Sequence, residues 1–325
     1  GFIMLLLLRI GVGIGEAGVN PASHSIIADH FPPKRRAFAM AILMLGANLG
    51  MMIGFVGGGF IAEHYSWRIA LMAVGIPGLL LAMVMARYLN EPVRGSFEQE
   101  NPSTAPPPPI RTSAATLWAM PAMRHLIAGS TITGMLGYGL TQWLPTFFMR
   151  AHDMPASKVG LMMAGVFGIL GAIGALVAGK LCDRLSARGF QYGIWLIAAV
   201  QVITGPFIIM AVLAEQFTLA HALFLVPAFT GNFYLGPTLA LVQTLSPVPM
   251  RAVASAIKML CMNLIGLALG PLAVGLMSDL LAQRFGDFSL NIALAIFTVT
   301  GLWGALHFWL CGRALAAHQP AAEHQ

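Results

Sequence analysis

The chain has 325 residues, 58% of them hydrophobic and only 9% charged, with a formal net charge of +6. Soluble domains carry about 25% charged residues, so a chain this apolar cannot cover itself in water, and lipid is its natural solvent. The composition excludes a soluble protein. It also reads the positive balance as a membrane signature rather than a nucleic-acid one, because the basic residues sit in short loops between apolar runs.

In chain order, an apolar segment at 2–28 is interrupted by Arg9 and Glu16. Uncharged runs follow at 37–62, 69–86, 125–149, 159–179, 189–214, 216–250, 259–278 and 288–312. Each is near or above the roughly 20 residues that a helix needs to cross about 30 Å of hydrocarbon. Run 216–250 exceeds one span and predicts a turn around Pro247 and Pro249. With the first segment this makes nine membrane-spanning helices. The opening "GFIMLLLL" has no basic residue before it and no small-residue cleavage pattern, so it reads as a span rather than a signal peptide. Cys182, Cys261 and Cys311 are odd in number and widely spaced, and they imply neither a disulfide frame nor a metal site.

The loops set the orientation. If the chain starts outside, the cytoplasmic loops hold twelve basic residues: Lys34, Arg35, Arg36, Arg87, Arg94, Arg111, Arg124, Lys180, Arg184, Arg188, Arg251 and Arg313. The opposite loops hold four, Arg68, Arg150, Lys158 and Arg284. The positive-inside rule then places the N-terminus outside and the C-terminus in the cytoplasm.

Gly13, Gly15 and Gly18 spell a G-x-G-x-x-G pattern. A dinucleotide site needs a preceding strand and a soluble βαβ unit. Here the pattern sits in a helical apolar segment leading to "PPKRR", so the glycines suit close helix packing in lipid. On a helix, Arg9, Gly13, Glu16, Asn20, Ser23 and His24 share about 100° of arc. A charge on a lipid-facing helix costs at least about 2.5–3.5 kcal/mol, which predicts that this face turns to a protein interior or an aqueous cavity. Arg9 and Glu16 are the candidate substrate or proton groups. Asn20, Ser23 and His24 are candidates for the same site, or for a network that only locks helices together.

The chain repeats itself. "RAFAMAI" at 36–42 recurs as "RAVASAI" at 251–257, each after a Pro-containing turn. Each leads into a glycine pattern, Gly50, Gly54, Gly58 and Gly59 in one copy and Gly266, Gly270 with Pro271 in the other, expected to pack helices. The first three spans therefore correspond to the last three. A polar, Pro-rich linker divides the halves: 1–89 with three helices, the linker at 90–118, and 119–325 with six helices and a short cytoplasmic tail. Half-to-half repetition of this kind belongs to twelve-helix secondary transporters, so by symmetry three helices are expected before residue 1.

These stretches resemble the major facilitator superfamily, and within it bacterial spinster-like proteins. "RIGVGIGEAGVNPASHSIIADHFPPKRRA" is similar to the family's fourth helix, "GMMIGFVGGGF" to its fifth-helix glycine motif and "WRIALMAVGIPGLLLA" to its sixth. "GKLCDRLSARG" at 179–189 is similar to the superfamily loop between helices 8 and 9, with Gly179 at a tight helix end and Asp183, Arg184 and Arg188 holding one side closed. The resemblance covers nearly the whole chain outside linker and tail. It implies an all-α polytopic membrane protein of the major facilitator fold, with nine of twelve helices (helices 4–12) present.

The resemblance further implies two halves rocking about a central cavity in alternating access. The cargo it implies is an amphiphilic anion such as a lysophospholipid or sphingoid phosphate. Arg9 is assigned to the head group and Glu16 to a protonation switch. Phe55 stands where the antiporter glycine motif has Pro, and Lys258 where an apolar residue is expected; the latter is read as snorkelling to the inner surface. In the second half Thr131, Met135, Tyr138 and Gln142 recur at helical spacing beside Trp143, as do Thr230, Tyr234 and Thr238. Asn232 and Asn263 are further polar groups within spans. These residues line a cavity or pack helices. No nucleophile–base pair, zinc cluster or phosphate-cradling loop is present in the sequence, so neither an enzyme nor a cofactor is expected. The expected partners are a small-molecule or lipid cargo, protons and membrane lipids, and the expected location is a bacterial plasma membrane. Alternatives are a carrier of small organic acids or drug-like solutes, and a non-transporting receptor, scaffold or inactive fragment.

Overall fold

A computed structural model describes residues 2–17, 33–89 and 109–317, together with Val19, Ser23 and Ile26. Among the described residues the chain is helical, with no strand. In lipid the helix satisfies each backbone N–H and C=O within one segment. The elements are α1 (Phe2–Ala17), α2 (Pro33–His64), α3 (Trp67–Tyr88), α4 (Ile110–Ala119) and α5 (Pro121–Ala151). They continue as α6 (Ala156–Ser186), α7 (Phe190–Leu213) and α8 (Phe217–Leu245). Helix α9 covers 251–285 in three pieces, Arg251–Cys261, Met262–Leu267 and Ala268–Phe285. Helix α10 joins Ser289–Thr298 to Thr300–Ala317. Helices α3, α6, α7 and α8 and the stretch Val253–Ala317 are long and apolar enough to cross a membrane. At 32 and 31 residues, α2 and α5 exceed the length of a span.

Local chemistry sets the ends. The Ser66 hydroxyl caps α3 by accepting from the Ile69 N–H at 3.3 Å. Pro121 opens α5, where a missing N–H costs nothing. Gly189, at φ +145°, makes the turn into α7. The turn expected around Pro247 and Pro249 is a single 3₁₀ turn, Val248–Met250. The last part of the expected linker is not irregular: Ile110–Ala119 forms α4, with Ser113 and Leu117 buried and Ile110 and Trp118 exposed.

Two apolar cores lie at opposite ends of the α5–α10 bundle. One gathers Leu117, Met123, Leu126, Ile194, Ile197, Leu241, Val242, Phe308 and Cys311. The other gathers Leu144, Phe147, Phe148, Val159, Ile208, Phe224, Leu290 and Phe297. In the second, the rings of Phe147, Phe148 and Phe224 meet edge-on with centroids 5.0–6.0 Å apart. Hydroxyls inside the bundle bond back to their own helices: Ser130 to the Leu126 carbonyl at 2.7 Å, Thr204 to Val200 at 2.7 Å and Thr298 to Leu294 at 2.8 Å. This consumes the donor that lipid cannot accept.

Close crossings are made at glycines. A Cβ on Gly270 would meet the Met135 carbonyl of α5, on Gly174 the Phe229 carbonyl of α8, and on Gly312 the Trp195 indole of α7. Gly266 likewise sits 3.3 Å, by its Cβ position, from the Met135 nitrogen. Gly50, Gly54 and Gly58 take no part in the crossing with α6: among the described residues, a Cβ on any of them would have no neighbour within 4 Å. Helix α2 meets α6 through Met52, Phe55, Gly59 and Glu63 instead. That ridge is rotated by about 100°, one residue, from the ridge of Gly50, Gly54 and Gly58. Only Gly59 of the expected set is at the crossing, where its Cβ would stand 2.8 Å from the Ala156 carbonyl.

Replacing Gly174 by Val should force α6 off α8 and destabilise the protein by about 1–3 kcal/mol, the usual cost of overpacking. Gly165→Ala, at an exposed site open to 4 Å, should leave the melting temperature unchanged. Thermal unfolding of the detergent-solubilised protein distinguishes them; equal melting would contradict the crossing.

Candidate functional site

Helix α1 carries Arg9 and Glu16 on a stretch exposed from Ile3 to Glu16. Seven residues of helix separate them by a rise of about 10 Å, and Gly13 lies between them on the same stripe. The remaining positions on that stretch are mostly Leu, Ile, Val and Gly. Ser23 is half-buried, while Asn20 and His24 lie outside the described residues. Two ionisable groups and a glycine therefore share one face of an otherwise apolar helix.

The second-half residues divide into two sets. Tyr138 of α5, Tyr234 of α8 and Met262 of α9 converge on Gly134. A Cβ there would lie 3.4 Å from the Tyr234 hydroxyl, 3.6 Å from Met262 Cε and 3.9 Å from the Tyr138 ring. Tyr234 is buried and Tyr138 half-buried, while Gln142 is exposed. Beside them Trp143 Nε1 donates to the Pro271 carbonyl at 2.8 Å, tying α5 to the glycine–proline stretch of α9. Thr230 turns away from this cluster, pairing with Thr204 of α7 at 2.9 Å. Asn232 faces Gly171 of α6, and Asn263 is exposed.

Lys258 does not snorkel. It is 3% exposed, and its Nζ donates to Thr238 Oγ1 at 2.7 Å. The snorkelling expectation counted seven residues from Arg251, but the helix phase turns position 258 inward with Ala254 and Met262, which are both buried. Sequence alone marked Lys258 only as a charge interrupting an apolar run. Missed altogether were His125 of α5 and His307 of α10, whose Nδ1 atoms lie 3.0 Å apart so that one ring donates and the other accepts.

At the loop between α6 and α7, Asp183, Arg184 and Arg188 are exposed. Gly179 is not at a helix end: α6 runs on to Ser186, and the tight turn belongs to Gly189. The reason is that α6 needs no positive φ until Gly189, so Gly179 stays helical.

The two halves meet at a seam between α2 and α6. A Cβ on Gly160 would strike the Phe55 carbonyl, and Met52 Cγ lies 3.1 Å from the Cβ position of Gly168. At the end of the seam, the Ser157 N–H donates to Glu63 Oε2 at 2.8 Å. Helix α6 has no side-chain cap of its own at Pro155, so the first half supplies the acidic group its N-terminus favours. Hydrogen bonding from the Ser157 side chain and then from its N–H, with His64 and Lys158 nearby, holds the Glu63 carboxyl below the ordinary glutamate range.

A family model described as Major Facilitator Superfamily matches residues 1–271. An "MFS-type efflux pump" of Mycolicibacterium smegmatis is 32% identical over 311 residues, which is 94% of this chain and 70% of that protein. A zebrafish (Danio rerio) protein named a sphingosine-1-phosphate transporter is 24% identical over 341 residues, 94% of this chain and 64% of its own length. The chain thus spans less than two thirds of that relative. The crystal structure of a bacterial homolog of the human lysosomal transporter Spinster, inward-facing and unoccupied, superposes with a TM-score of 0.85 at 24% identity. The match covers 99% of this chain and 80% of that one.

Proposed function

Because the chain belongs to the Major Facilitator Superfamily, a family of membrane transporters, we propose that it moves an amphiphilic anion by alternating access with proton coupling. The observation that carries this reading is the stripe of Arg9, Gly13 and Glu16 on α1. Neither charge is tolerable against hydrocarbon, at about 2.5–3.5 kcal/mol or more each, so the stripe belongs to a water-accessible path. Arg9 supplies a fixed positive charge for an anionic head group, and Glu16 a carboxylate that gains or loses a proton. The aromatic cluster of Tyr138 and Tyr234 offers apolar surface with hydroxyl groups for the rest of the cargo. The name of the zebrafish relative supports a lipid phosphate; that of the mycobacterial protein, an efflux pump, supports export, and drug-like solutes or small organic acids are the second reading of the cargo.

The α2–α6 seam is the gate of this mechanism. With the C-terminus in the cytoplasm, as the basic loops indicate, the seam lies on the outer side and closes the path there. Opening outward separates Phe55 from Gly160 and removes Glu63 from the α6 N-terminus. A carboxylate held below its ordinary value keeps its charge, and its bond, through neutral and mildly acidic pH; the contact is lost only as pH falls through that lowered value. Glu63 therefore latches the gate, and proton sensing falls to Glu16.

Glu16→Gln in the full-length protein, reconstituted in vesicles, should abolish the dependence of transport on the proton gradient while leaving cargo binding within a fewfold of wild type. Unchanged pH dependence removes Glu16 from the mechanism. For the gate, a cysteine placed at Ser157 in a background lacking Cys182, Cys261 and Cys311 should react slowly with an impermeant maleimide. Adding Glu63→Ala should speed labelling several-fold, and Gly160→Leu should speed it more. Equal rates in all three would show that the seam does not gate.

A further inference from the structure

Lys258 is a buried cation for which the residues around it provide too little. An ammonium has three donors. Among the described residues one of them reaches Thr238 Oγ1, whose own proton is spent on the Tyr234 carbonyl at 2.5 Å. The pair is enclosed, with Thr238 fully buried. The neighbouring helix positions, Ala254 and Met262, and the nearby Leu241 and Val242 belong to an apolar core. No carboxylate among the described residues forms an ion pair with Lys258. An unpaired buried charge is costly to hold, and a fold gains nothing from it that a methionine would not give.

Two further features single out this place. The helices that carry the pair are both irregular beside it. Helix α8 breaks into a turn at 231–234, one turn before Thr238, and α9 changes to a π-helix at Met262–Leu267, one turn after Lys258. Such π segments are rare and concentrate at functional sites. On α5, one turn before Gly134, the Thr131 hydroxyl is buried with no partner among the described residues. One turn on, Met262, the Tyr234 hydroxyl and the half-buried Tyr138 ring gather at Gly134.

We propose that Lys258 is an anion-binding residue of the second half, taking the carboxylate or phosphate oxygen of the cargo when α8 and α9 rearrange at their irregular stretches. The incoming anion supplies the acceptors that Thr238 alone does not, and the tyrosine hydroxyls guide it from the Tyr138 side. This rests on the anionic-cargo reading and deepens it: Arg9 on the first half and Lys258 on the second give each half one cationic hold.

The test uses the purified full-length protein with four probes: oleate, oleoyl lysophosphatidate, inorganic phosphate and, as the neutral control, monooleoylglycerol. Binding and thermal unfolding are measured for wild type, Lys258→Met and Lys258→Arg. Lys258→Met should melt at or above the wild-type temperature, since it removes an unpaired charge. It should bind the two anionic lipids at least tenfold more weakly and the neutral lipid unchanged, while Lys258→Arg keeps most of the affinity. Phosphate binding that depends on Lys258 also supports the site, with a small anion as its source. Anionic binding unchanged in Lys258→Met overturns the inference and leaves the transport reading standing. A lower melting temperature with equal loss of neutral and anionic binding assigns Lys258 to the core and overturns it too. If wild type binds neither anionic lipid nor phosphate, the anionic-cargo reading itself fails.

Discussion

Helices in lipid gain no hydrophobic drive to associate, because the acyl chains are as apolar as the side chains. The structure depends instead on backbones coming close enough for dense van der Waals contact, and glycine allows that. Gly270 against the Met135 carbonyl, Gly174 against Phe229, Gly312 against Trp195 and Gly160 against Phe55 each place one helix where any side chain would collide. The first three fix helices within the second half. The fourth joins α2 to α6, the contact that the proposed gate would have to open.

The same economy governs charge and polarity. Within the bundle, the hydroxyls of Ser130, Thr204 and Thr298 turn back to their own carbonyls and are satisfied there. Ionic groups have no such remedy, so their positions carry information. Arg9 and Glu16 stand on one exposed stripe, Glu63 caps a helix that belongs to the other half, and Lys258 is enclosed with a single hydroxyl. Among these, Glu63 is the one whose contact joins α2 to α6 directly, through the Ser157 N–H.

Much of this fold was legible along the chain. Charge-free runs of span length gave the helices, and the doubled prolines at Pro247 and Pro249 gave the turn, because both follow from the thickness of the bilayer and from local backbone chemistry. The motifs pointed to the superfamily to which the chain belongs.

Position in the third dimension was not legible. The glycine spacing at Gly50, Gly54 and Gly58 announced a packing ridge, yet α6 meets the ridge one residue away, through Met52, Phe55, Gly59 and Glu63. Gly179 looked like a helix end, but the α6 backbone needs no left-handed residue until Gly189. Lys258 looked able to reach the surface, but its direction depends on the face that α9 turns to α8. By itself the sequence determined what must lie in lipid, where the chain turns and which residues carry charge, since these depend on neighbours along the chain. Only the tertiary structure decided which faces meet and which charges are enclosed, because helix rotation is set by contacts between residues far apart in sequence.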